Sequence, residues 1–113
     1  MYILYGIKNC DTVKKARAWL SSRGHEYRFH DFRVDGLDAS LLERLEESLG
    51  WENLLNRRGT SWRKLDEAAR ENLDRERALA LMLAHPTIVK RPVLETDAKI
   101  LIGFTPEYYA NEL

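Results

Sequence analysis

The chain begins with a pattern that leaves few folds open to it. Met1-Tyr2-Ile3-Leu4-Tyr5 is an unbroken apolar run with aromatic and β-branched members, closed by Gly6. Such a run predicts a strand covered on both faces, as in the middle of a parallel sheet. After Lys8-Asn9-Cys10-Asp11-Thr12, the residues Val13, Ala16 and Leu20 recur at helical spacing, with Lys14, Lys15 and Arg17 on the polar side. This predicts an amphipathic helix with Asn9 or Cys10 at its N-cap and Gly24 as its stop. From His25 to Phe32, Tyr27 and Phe29 alternate with Arg28 and His30, and Asp35-Gly36 follows; the pattern is that of a second strand. Strand, helix, strand is a βαβ unit. It puts Cys10 at the C-terminal edge of the first strand, where α/β proteins hold their ligands.

Further along, Asp38 or Ser40 caps a helix with Leu42, Leu45 and Leu49 in one stripe. Ser40 with Glu43 fits a capping box, and Gly50 ends the helix. Between Trp51 and Leu65, the side chains of Trp51, Leu54, Leu55 and Trp62 are packing residues around a loop, Asn56-Arg57-Arg58-Gly59-Thr60. Asp66 to Ala84 is expected to be mostly helical, broken near Asn72 to Asp74, with Ala78, Leu81 and Met82 facing inward. Pro86 ends it by restricting His85. Pro92 to Glu95 and Lys99 to Ile102 flank Thr96-Asp97-Ala98 and predict an antiparallel hairpin. Thr105-Pro106-Glu107 then has the cap, proline and acidic first turn of a short helix. The order is α/β: a thioredoxin-like arrangement with a helical insertion, approximately 37–84, after the second strand. With 113 residues, no internal repeat and no linker, a single domain over 1–113 is expected, burying roughly 65 % of the unfolded surface without help from a metal or disulfide.

Charge and cysteine content narrow the function. Eighteen Lys and Arg balance eighteen Asp and Glu, so a nucleic-acid-binding field over the whole surface is disfavoured. One cysteine and three scattered histidines permit neither an intramolecular disulfide nor a Cys-rich zinc site, and no metal site is expected. Apolar stretches such as Ala78 to Ala84 fall far short of the roughly 20 residues of a membrane span. Met1 to Tyr5 carries no basic leader, so a cytoplasmic protein is expected, with Cys10 kept reduced.

Cys10 stands out because of the junction it occupies. The unpaired N–H groups and positive dipole end of a helix N-terminus favour a thiolate, the nucleophilic form, while the adjacent Asp11 opposes it. Lys8 and a converging arginine would restore the balance. Arg57 and Arg58 can be solvated loop cations or an anion clamp. Arg91 precedes Pro92, and a cis bond there would aim the backbone in a fixed direction. A guanidinium facing the thiol could steady a thiolate and hold a carboxylate or oxyanion with forked hydrogen bonds. His30 and His85 fit core or capping roles, and Trp19, Trp51 and Trp62 fit packing. No phosphate-binding glycine loop is present.

Four collinear segments carry a resemblance: Tyr5-Gly6-Ile7-Lys8-Asn9-Cys10-Asp11-Thr12, Leu54-Leu55-Asn56-Arg57-Arg58-Gly59-Thr60, His85-Pro86-Thr87-Ile88-Val89-Lys90-Arg91-Pro92 and Ile102-Gly103-Phe104. Together they resemble the ArsC/Spx family, nearest to its YffB branch. In the family's arsenate reductases the cysteine attacks arsenate, three arginines hold the oxyanion, and glutathione or glutaredoxin resolves the adduct. Cys10 and Arg91 match that pattern. Asn56 stands where a second arginine would be, with Arg57 and Arg58 beyond it, and Lys99 is the nearest cation to the third position. The Spx-type switch uses C-x-x-C, whereas Cys10-Asp11-Thr12-Val13 has one thiol. The resemblance thus implies a glutathione-dependent thiol reductase whose Cys10 forms a mixed disulfide with a small-molecule or protein substrate, with glutathione as co-substrate and glutaredoxin as a partner. Lys8, Asn9, Asp11, Thr12, Arg57, Arg58, Arg91, Pro92 and Lys99 are its candidate binding residues. An arsenate reductase with altered oxyanion contacts, or an Spx-like protein-binding regulator, is the alternative.

Overall fold

The structure, a computed structural model, describes residues 1–113. In chain order its elements are β1 (Tyr2–Gly6), α1 (Asp11–Ser22), β2 (Tyr27–Asp31), α2 (Ala39–Leu49), α3 (Trp51–Leu54), α4 (Thr60–Arg63), α5 (Glu67–Arg70), α6 (Arg75–Ala84), a 3₁₀ turn (Pro86–Ile88), β3 (Val93–Glu95), β4 (Ile100–Ile102) and α7 (Pro106–Glu112). They group into two compact units, Met1–Asp35 with Arg91–Leu113, and Gly36–Lys90.

The first unit is a four-stranded sheet in the order β2-β1-β3-β4. β1 pairs parallel with β2 and antiparallel with β3, and β3 pairs antiparallel with β4. The fold is α/β and thioredoxin-like. Strand register explains the core: Phe29, Leu4, Leu94 and Leu101 are successive partners across all four strands. Because alternate strand residues share a face, this row presents one apolar surface. Ala16 and Leu20 of α1 and Tyr109 of α7 pack on it, and Leu4, Ala16, Leu20, Leu94 and Tyr109 are all fully buried. Each large aliphatic in that row contributes about 1.5–3 kcal/mol by leaving water. The period of Val13, Ala16 and Leu20 read from the sequence is the buried stripe of α1.

The approach of α1 to the sheet is closest at Gly6. A methyl group there would lie 2.7 Å from Val13 Cγ2, so only glycine lets the end of β1 pass under the first turn of the helix.

The second unit is helical, with one isolated antiparallel bridge between Leu55 and Val89. Asp38 is the N-cap of α2 and accepts the Leu41 N–H at 2.8 Å. Ser40 lies inside the helix, so the Ser40–Glu43 capping box does not form; the cap two residues earlier already satisfies the free amide. Gly50 ends α2 at a φ of 82°. The expected break falls between α5 and α6, where Asn72 has a φ of 54° and Asp74 caps α6 by accepting the Arg77 N–H. On α6 the buried residues are Ala78, Leu79 and Met82, and Leu81 is only half-buried. Ala78 and Met82 face inward as expected, and Leu79 takes the place expected for Leu81. No helix in the chain is long and apolar enough to cross a membrane.

Candidate thiol site

The chain leaves the sheet at Gly6 and turns once before α1 begins. The Cys10 N–H donates to the Ile7 carbonyl at 3.2 Å, closing a tight turn over Lys8 and Asn9. Cys10 is the N-cap of α1, with extended backbone (φ −91°, ψ 123°), and its carbonyl accepts the Lys14 N–H at 3.0 Å. The thiol makes no capping hydrogen bond to the helix amides, and Cys10 is a free, half-buried cysteine. Its side chain therefore leaves the chain at the N-terminal end of the helix, next to first-turn amides that it does not cap. Asp11, in the first turn, is the nearest opposing charge in sequence. Lys8, Asn9, Asp11 and Thr12 are brought to this one corner by chain continuity.

Arg91 and Pro92 come to the same end of the sheet from the far side of the chain. Tyr5 of β1 is the register partner of Val93, so Pro92, one residue before, stands level with the C-terminal end of β1, where the thiol turn begins. The Arg91-Pro92 peptide bond is cis, and the Pro92 carbonyl is fixed by the Gly103 N–H at 2.8 Å. The segment is thus anchored to the residue that follows β4, and the register carries it to the end of the sheet at which β1 finishes.

Lys99 does not join them, and here the sequence expectation is corrected. β3 runs antiparallel to β1, and its last residue Glu95 is the partner of Ile3. The Thr96–Lys99 turn therefore lies beyond the N-terminal end of β1, with about 10 Å of strand, at ~3.3 Å per residue, separating Ile3 from Gly6. Two contacts fix that end: the chain's amino terminus lies 3.8 Å from Asp97, and Lys99 Nζ is 3.1 Å from Glu112 Oε1.

Arg57 and Arg58 belong to the second unit. The Arg57 guanidinium lies over the Trp62 ring at 6.0 Å, as does that of Arg70. Arg58 donates its N–H to Asn56 Oδ1 at 3.1 Å, and its carbonyl accepts from Arg63. Asn56 closes on its own loop tightly enough that a methyl on Gly59 would meet its Nδ2 at 2.9 Å. Trp62 is thus a stacking platform for two arginines as well as a packing residue.

One residue of the corner lies outside the candidate binding residues, because spacing alone does not support a Cys10-His30-Asp31 set. Asp31 is buried, 6 % exposed, and is the register partner of Gly6 at the last rung of the β1–β2 ladder. Its Oδ1 accepts the Arg33 N–H at 2.8 Å and its Oδ2 accepts the Lys8 N–H at 3.3 Å. The one available signal was an acidic residue closing a strand that runs parallel to the strand leading to the cysteine. Nearby, His30 and Phe32 pack against Tyr5 with ring centroids 5.0 and 6.0 Å away, so His30 is an aromatic neighbour in the sheet.

Comparison with known proteins agrees with this geometry. The sequence profile of the ArsC family matches residues 5–111. An uncharacterised protein of Haemophilus influenzae is 49% identical over 109 residues, covering 96% of both chains. The solved structure of the YffB (PA3664) protein is 50% identical, covers 98% of this chain and 97% of its own, and superposes with a TM-score of 0.92. An arsenate reductase (ArsC) related protein from Brucella melitensis is 54% identical, with 97% and 92% covered and a TM-score of 0.80.

Proposed function

Because the chain belongs to the ArsC family, we propose that it is an oxidoreductase that works through the Cys10 thiolate and takes its second sulfur from glutathione. The observation that carries this reading is the placement of a lone cysteine at a helix N-cap and of the Arg91-Pro92 segment at the same sheet end. The Cys10 thiolate attacks the glutathionyl sulfur of a mixed disulfide, forming a Cys10–glutathione disulfide and expelling the substrate's thiolate, which takes a proton from solvent. A second glutathione thiolate attacks the glutathionyl sulfur, so that glutathione disulfide leaves and the Cys10 thiolate is restored. In net terms one glutathione thiol is oxidised and the substrate sulfur is reduced to a thiol, one disulfide being consumed and one formed. Arg91 would hold a glutathione carboxylate, and the backbone beside Pro92 would pair with the cysteinyl peptide. Such chemistry suits the reducing cytoplasm. The clamp role of Arg57 and Arg58 rests on the sequence alone, and glutaredoxin as a partner rests on the family resemblance.

The test is intact mass after brief exposure to glutathione disulfide. The expected result is one glutathionyl group, absent from Cys10→Ser and removed by excess glutathione. A chain that gains no adduct faster than an unstructured cysteine peptide would refute the proposal. An NADPH-coupled assay with arsenate, glutathione and glutaredoxin separates arsenate reduction from disulfide reduction: a rate equal to that of Cys10→Ser excludes arsenate as substrate.

A further inference from the structure

Asp31 is the one buried charged side chain in the protein, and a buried carboxylate is costly unless hydrogen bonds satisfy it. Its partners are not side chains. Both oxygens are taken by main-chain amides, and the two amides belong to different loops: Arg33 in the turn that follows β2, and Lys8 in the turn that follows β1. The same residue is pinned from behind. Its own N–H donates to Asp35 Oδ2 at 2.9 Å, and its carbonyl accepts the N–H groups of Val34 and Asp35 at 3.2 and 2.7 Å. The Phe32 N–H bonds to the Gly6 carbonyl at 2.9 Å, which joins the two strand ends one residue beyond the ladder. Asp31 is therefore held rigidly, and it in turn holds the amide of Lys8, which lies inside the turn closed by the Cys10 N–H.

We propose that Asp31 is the positioning residue of the thiol turn: its carboxylate fixes the Lys8 main chain and through it the direction in which Cys10 meets an incoming disulfide. The chemistry explains the residue type. Two N–H donors, one at each oxygen, require two acceptors, and only a carboxylate supplies both. Asparagine in the same place keeps one acceptor and turns an NH₂ group on the other donor. Since the Arg33 bond is the shorter, Asp31→Asn keeps it and loses the Lys8 bond. In-line attack of a thiolate on a disulfide depends on orientation, and a misplacement of about 1 Å can cost about a hundredfold. A weakened single tether is expected to cost roughly tenfold.

This proposal rests on the thiol reading only for one of its two measurements. The first is amide hydrogen exchange of the full chain. In Asp31→Asn the Lys8 amide is expected to exchange at least tenfold faster, with the Leu4 amide in the centre of β1 unchanged; an unchanged Lys8 rate overturns the proposal. The second compares the rate of Cys10 with glutathione disulfide to its rate with iodoacetamide, a small reagent that needs little alignment. The ratio is expected to fall about tenfold in Asp31→Asn and to stay within twofold of wild type in Asp38→Ala. The latter variant removes the cap of α2, which has no part in holding Asp31 or Lys8, so it reports on lost stability alone. Equal falls in both variants overturn the proposal. If wild-type Cys10 does not react with glutathione disulfide, the proposed function falls, and the exchange measurement still decides the role of Asp31.

Discussion

The close approach of β1 to the first turn of α1 at Gly6 gives a sharp prediction. A methyl at Gly6 would stand 2.7 Å from Val13 Cγ2, 3.1 Å from Cγ1 and 3.5 Å from Cβ, against the 3.5–4.0 Å at which carbon atoms attract. Val13 is fully buried in the first turn of α1. Its β-branched side chain has one favoured helical rotamer, so it cannot swing aside, and the helix itself must lift by about 1 Å. Overpacking of this kind costs about 1–3 kcal/mol. Val13→Ala alone removes two buried methyl-sized groups and should cost about 2 kcal/mol. In the double variant both offending atoms are gone and the remaining 3.5 Å contact is an ordinary one, so Gly6→Ala should then be nearly neutral. The expected coupling between the two sites is about 1–3 kcal/mol, read from urea unfolding followed by circular dichroism. Since the helix that must lift is the one Cys10 caps, Gly6→Ala should also slow glutathione adduct formation, and Val13→Ala should restore it. Single-variant costs that add to within about 0.5 kcal/mol would show that the two residues do not compete for space.

Other expectations are briefer. Tyr109 is fully buried and its hydroxyl has no hydrogen-bond partner, and burial pushes its phenol well above the ordinary range. The unfolded chain therefore loses this proton first. Stability from this residue is complete below about pH 10, the unfolded value, and declines above it by up to about 1.4 kcal/mol per pH unit. Tyr109→Phe keeps the ring packing against Trp19 and Phe104 and should flatten that decline in urea midpoints measured from pH 9 to 11; an unchanged slope counts against it. Lys99→Ala should leave the rate of glutathione adduct formation unchanged, whereas Arg91→Ala should lower it several-fold; equal effects would contradict the placement of the two cations at opposite sheet ends. Asp38→Ala should cost about 1 kcal/mol through loss of the α2 cap, read from the thermal midpoint.

What the sequence disclosed and what it hid follow from the range of the forces involved. The strand, helix and hairpin of the first unit were legible because each is written in local periodicity and closed by Gly, Pro or a capping residue. The position of Cys10 followed from the same local signals. Lys99 was misplaced because a cation's location depends on strand direction: it sits in the hairpin turn, and the antiparallel pairing of β3 with β1 sends that turn to the wrong end. Asp31 was not among the candidates for a related reason, since its importance comes from the register of two strands and not from any motif or spacing. On α6 Ala78 and Met82 were legible as inward residues, while Leu79 and Leu81 lie at the two edges of that face, where spacing alone does not choose between them.

The sheet also says something about where this chain can change length. Asp31 leaves β2 opposite Gly6, and Pro92 enters just before Val93, the partner of Tyr5, so both connections to the helical segment open at one end of β1. Two strand spacings of about 4.8 Å put them roughly 10 Å apart, a gap that a few residues can span. The segment from Gly36 to Lys90 could therefore be shortened, lengthened or exchanged without sliding any strand against its neighbour. Its two points of departure lie just beyond Asp31 and just before Pro92, so a graft at this junction leaves intact the sheet that carries the sulfur.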